Sequence, residues 1–183
     1  MTAKSRRRLT CVLLDAVIVI EAHRLDIWDK LISKVRVVVP ATVVQDEAFY
    51  FKTRGKRKRH AIDLCGLIEA GRIAQEAATV EELQGLQAVF DNLTLQGLHA
   101  GELEALALLQ AGKLEDTLFC TSDALAIRAL ALMGHHESGI SLERMLQRLG
   151  LQASLDPQFT DEYFQNNLRR GKQDWITRTG LRK

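Results

Sequence analysis

Hydrophobic positions along this chain alternate between two patterns, short apolar runs and longer stretches with apolar residues at helical spacing. Residues 9–14 and 35–39 are β-prone and almost unbroken by polar side chains, the pattern of strands covered on both faces by helices. Residues 16–32 fit one or two helices, and Pro40 stops the second strand before a predicted helix over 41–51 with Thr42 as its N-cap. A helix over 61–70 ends at Gly71, residues 72–77 form a weak third strand, and Thr79-Val80-Glu81-Glu82 has the spacing of a capping box opening a helix over 79–90. Residues 98–109 are nearly all strong helix formers. Residues 118–121 read as a short buried strand, followed by an amphipathic helix carrying Leu125, Ile127, Leu130 and Leu132 and closed by Gly134. The link 135–139 has room for a brief fifth strand, and Ser141 caps a helix over 142–149.

This alternation predicts an α/β fold, a three-layer α/β/α sandwich on a mainly parallel, roughly five-stranded sheet whose strands share one carboxyl edge. Beyond Gly150 the pattern changes, with Pro157 opening a helix through Asn167 and a basic end after it. The expected organisation is a basic N-terminal tail (1–8), an α/β domain (9–150) and a C-terminal helical extension (151–183).

Composition adds bounds to that picture. A chain of 183 residues that is 46% hydrophobic can build one well-packed domain, whereas two would be cramped. The formal net charge of +2 conceals basic clusters in 4–8, 52–60 and 169–183, each able to face an anion. Cys11, Cys65 and Cys120 lie far apart in apolar surroundings with no C-x-x-C pair, which suits free thiols in a reducing compartment better than a disulfide framework or zinc. Residues 4–20 imitate a signal peptide, but Asp15 interrupts the apolar run and no uncharged stretch approaches the length of a membrane span. A cytoplasmic protein with no membrane contact is expected.

The candidate chemistry lies in acids. Asp15 and Asp123 each follow a predicted strand, at the edge where open α/β sheets bind ligands. Glu102 stands in the first turn of the helix over 98–109, and Glu47 in the helix after the second strand, so both can approach that edge. Carboxylates converging without a balancing lysine repel one another unless they hold a hard divalent cation through oxygen. The competing account of each acid is a helix cap or a solvated face, and Glu104, Glu21 and Asp46 are read that way. Lys56, Arg57, Lys58 and Arg59, the densest part of the basic run, are either a solvated loop or a patch for the phosphates of a polyanion. Gly-rich phosphate loops and a G-x-S-x-G elbow are absent.

Leu14-Asp15, Val44-Gln45-Asp46-Glu47, Gly101-Glu102-Leu103-Glu104-Ala105 and Thr121-Ser122-Asp123, in that order, resemble the PIN-domain nucleases, particularly the VapC-type ribonuclease toxins and their relatives. The likeness spans residues 9–150. It implies a PIN-like fold, a ribonuclease acting on single-stranded RNA with Mg²⁺ or Mn²⁺, and catalytic metal-binding acids at Asp15, Glu47, Glu102 and Asp123. Thr121 or Ser122 falls on the family's supporting hydroxyl. An antitoxin protein and a second copy of the chain are the implied protein partners. Two positions depart from the family pattern: Ala16 stands where a Thr or Ser often follows the first acid, and Leu125 where many members have a further acid. These motivate the alternative of a catalytically silent PIN-like module that binds RNA or protein.

Overall fold

The computed structural model describes residues 9–52 and 58–182. Five strands build one parallel sheet: β1 (Cys11–Leu14), β2 (Arg36–Pro40), β5 (Ala74–Glu76), β6 (Thr117–Cys120) and β7 (Gly139–Ile140), in the order β5-β2-β1-β6-β7. The chain builds outward from β1 to β2 and β5, then returns to place β6 and β7 on the other side. The sense of winding therefore reverses at the carboxyl ends of β1 and β6, the place where open α/β sheets form a crevice.

Alternation along the strands supplies two cores. Val12, Leu14, Val37 and Val39 face α1 (Ala16–Arg24), α2 (Trp28–Ile32) and α8 (Leu142–Leu149), while Leu13, Val38 and Phe119 face α6 (Ala100–Gln110), α7 (Ala124–Leu132) and α9 (Asp161–Thr177). Helices thus cover both faces and the molecule is a three-layer α/β/α sandwich. Helix α4 (Val80–Gln87) opens with the expected capping box: Glu82 N donates to Thr79 Oγ1 at 3.2 Å and Thr79 N donates to Glu82 Oε2 at 2.7 Å. Among the described residues no helix is long and apolar enough to cross a membrane.

The segment after β2 differs from expectation. In place of a helix over 41–51, the chain makes a wide π-helical turn, Val43–Glu47, closed by Ala48 N donating to Val43 O at 3.0 Å. Tertiary bonds shape this turn, since the Glu104 carboxylate accepts the Thr42 N–H at 2.8 Å and that of Ala78 at 3.1 Å, tying α6 to two neighbouring segments. Then β3 (Tyr50–Lys52) pairs antiparallel with β4 (Arg59–Ala61). The predicted helix over 61–70 shortens to α3 (Leu64–Glu69), because His60 and Ala61 belong to this hairpin. A short α5 (Asn92–Gly97), capped by Asp91, has no counterpart in the sequence reading.

Helix α9 runs well past Asn167. It lies along α7, placing Phe164 and Leu168 in the second core and Gly171 against the α7 backbone. The chain end then returns to α5, with Asp91 N donating to Gly180 O and Arg182 N to Val89 O.

Candidate functional site

Asp15 sits where β1 becomes α1. Its N–H extends the ladder to Cys120 O, and its carbonyl accepts the N–H groups of Ile18 and Val19 as a helix N-cap does. An aspartate there usually turns its carboxylate onto the helix N-terminus. Asp15 does not take the usual cap bond from the second or third helical N–H; beside a local contact with the Ala16 N–H, Oδ2 accepts the Thr121 hydroxyl at 2.9 Å, across from β1 at the end of β6. The side chain is 3% exposed. Burial pushes its pKa up to about 6; the bonds from Thr121 and the Ala16 N–H oppose this, and the negative charges of Glu47 and Asp123 add to it.

Thr121 joins two of the acids. Its oxygen accepts the Asp123 N–H at 3.1 Å while its proton goes to Asp15, which fixes the direction of both bonds. Ser122, the other candidate hydroxyl, is buried yet bonds to neither acid. Asp123 is the N-cap of α7, and Oδ1 accepts the N–H groups of Leu125 and Ala126 at 2.7 and 2.8 Å. The sequence reading set capping against function at this position. The geometry assigns capping to Oδ1 and leaves Oδ2 without a hydrogen bond among the described residues.

Two further acids gather at the start of α6. Glu102 is 3% exposed and reaches back to accept the His99 N–H at 2.9 Å. Burial raises its pKa well above the usual carboxylate range, the His99 N–H opposes this, and the charges of Asp15 and Asp123 push it further up. Glu47 ends the π-helical turn, and its Oε1 accepts the Gly101 N–H at 3.0 Å. Gly101 is required there, because a methyl group would collide with the Glu47 carboxylate and come within 2.9 Å of Val43 Cγ2. Sequence reasoning missed this role for Gly101; its one signal was a glycine in the first turn of a helix otherwise rich in helix formers.

The four acids expected from the sequence thus share one electrostatic neighbourhood at the reversal point of the sheet. Among the described residues none of them pairs with a lysine or arginine. The one basic group beside them among the described residues is His99, whose Nδ1 lies 3.4 Å from Glu102 Oε2, and their clustered oxygens suit a hard cation that keeps much of its water. They do not form a ready-made cage, since among the described residues no three Asp, Glu, His or Cys side chains stand as a group able to hold a metal ion. Glu104 is tied up as the α6 staple and Glu21 by Arg24, whose Nε lies 2.6 Å from it, while Asp46 faces solvent.

Of the basic candidates, Lys56 and Arg57 lie outside the described residues. Lys58 and Arg59 are exposed at the hairpin, with the Arg59 guanidinium 4.5 Å from the Tyr50 ring centroid. Compared with protein-family models, curated proteins and solved structures, the chain finds no match.

Proposed function

We propose that this protein is a PIN-type, divalent-metal-dependent endoribonuclease that cuts single-stranded RNA, and that it serves as the toxin of a toxin–antitoxin pair. The observation that carries the reading is Asp15: a buried carboxylate that forgoes the usual helix cap, bonds to Thr121, and sits amid three other acids, none of them paired with a lysine or arginine among the described residues. Asp15 and the unbonded Oδ2 of Asp123 would hold the ion directly, and Glu47 and Glu102, each already holding a backbone N–H, would act through water. A bound Mg²⁺ or Mn²⁺ would lower the pKa of a coordinated water and neutralise charge on the phosphate. Thr121 keeps Asp15 turned toward Asp123, and Lys56, Arg57, Lys58 and Arg59 hold the RNA backbone against the repulsion of the acids.

The test is cleavage of a labelled single-stranded RNA in millimolar Mg²⁺ or Mn²⁺, compared with Asp15→Asn and with EDTA. Turnover that requires both the metal and Asp15 supports the nuclease. A second reading, a silent RNA- or protein-binding module, draws on Ala16, Leu125 and the lack of a three-ligand group among the described residues. A metal that binds only the folded state raises the melting temperature by mass action. No cleavage together with no thermal shift in either ion decides for the silent module.

A further inference from the structure

Among the described residues three Phe, Tyr or Trp side chains stand largely in solvent, and two of them, Phe49 at 53% and Tyr50 at 40% exposure, are neighbours in sequence. They come two and three residues after Glu47, the acid that ends the π-helical turn. Chain geometry alone keeps the Phe49 Cα within ~7 Å of the Glu47 Cα and that of Tyr50 within ~11 Å.

The hairpin that begins at Tyr50 has two unlike faces. Inward, the Phe51 ring stacks on His60 at 4.9 Å and on His23 of α1 at 5.7 Å, which anchors the hairpin to the domain. Alternation then turns Tyr50, Lys52, Arg59 and Ala61 outward. In the β3–β4 register Lys52 stands directly opposite Arg59. Like charges placed so are destabilising, and no acid shares this face to offset them. The Arg59 guanidinium lies over the Tyr50 ring, 4.5 Å from its centroid, and Lys58 is exposed next to it in the chain. Cations gathered without an acid, beside exposed rings, complement a strand that carries both phosphates and unpaired bases. A second copy of the chain fits less well, because a symmetric contact would set the same cations against each other.

We propose that Phe49, Tyr50, Lys52 and Arg59 form a platform that grips single-stranded RNA by its bases as well as its backbone, beside the acids. The two rings stack nucleobases whatever their identity, while Lys52 and Arg59 hold the flanking phosphates. The platform rests on the proposed nuclease for its strand being RNA.

Binding is read without chemistry, in EDTA, from the anisotropy of a labelled oligouridine and of an abasic ribose-phosphate strand of the same length and charge. The parent should bind the oligouridine at least about fivefold more tightly. Phe49→Leu, which stays apolar but loses the ring, should give up most of that preference, hold the abasic strand as the parent does, and keep the salt slope. Phe49→Trp should restore it. Lys52→Ala/Arg59→Ala should instead flatten the dependence on log salt for both strands, by about 0.7 per lost phosphate contact. Equal affinity of the parent for the two strands, or a Phe49→Leu variant with the parent's preference, overturns the platform. So does a Phe49→Leu variant that sediments as a smaller species with unchanged RNA affinity, which would give the rings to a second copy. The comparison of strands on the parent needs no substitution, so it stands even if a variant misfolds. A preference for bases with no cleavage in Mg²⁺ or Mn²⁺ would retire the nuclease and leave the platform standing, whereas cleavage with no such preference would retire the platform alone.

Discussion

A single carboxylate can be poised against the stability of its own fold, and Asp15 is such a group. Its folded pKa of about 6 lies above the ordinary aspartate value of 3.8, so the folded protein holds the proton more tightly than the unfolded chain. The stability this contributes is fully present below pH ~4, declines as pH rises, and is lost above pH ~6, a swing of about 3 kcal/mol at 1.36 kcal/mol per unit. In EDTA, Asp15→Asn should therefore be more stable than the parent at pH 7.5 and less dependent on pH, as urea melts at pH 4 and 7.5 will read; a variant that melts below the parent at pH 7.5 would make Asp15 a structural acid. Asp123 divides differently. Asp123→Asn keeps an oxygen for Leu125 and Ala126 and should melt near the parent, while Asp123→Ala loses the cap and about 1 kcal/mol. Both should abolish RNA cleavage. Asp123 was legible in the sequence because a strand-length apolar run ends just before it and an amphipathic helix begins just after. The turning of Asp15 from cap to Thr121 was not, since it depends on a partner brought in by the sheet.

Among elements, the π-helical turn and the hairpin after it are where sequence reasoning went astray. Val43, Val44 and Ala48 have helical spacing, and nothing local reveals that Glu104 takes the Thr42 N–H or that Glu47 will be seated on Gly101. Tyr50-Phe51-Lys52 is β-prone, but its partner strand is hidden behind the basic run. The seat of Glu47 gives a test with an unusual sign. Glycine to alanine inside a helix commonly stabilises by ~0.5–1 kcal/mol. Gly101→Ala should instead destabilise by about 1–3 kcal/mol, as overpacking does, because the methyl group meets Val43 and the Glu47 carboxylate. Thermal melts will show it, and a gain in stability would mean that Glu47 is not held there.

For the whole molecule, the layered architecture and five-stranded parallel sheet were readable from alternating patterns, because strand runs and helical periods are local signals. The extent of α9 was not, since its polar and basic surface outweighs the few residues it buries, Phe164, Asn167, Leu168 and Gly171. Gly171→Ala should cost about 1–3 kcal/mol, because its methyl group would lie 2.6 Å from the Arg128 carbonyl oxygen, a backbone atom with no freedom to yield. Chemical denaturation of the full chain measures this; an unchanged midpoint would mean that α9 can shift away from α7. The bond from Thr121 to Asp15 joins residues 106 positions apart, on strands that pair only once β6 exists. During synthesis, then, a nascent chain carries Asp15 out of the ribosome long before the residue that orients it. A chain released before Asp123 lacks both the hydroxyl's second partner and the fourth acid, so a truncated chain never assembles the full cluster, and the site comes into being only when the second half of the sheet has been made.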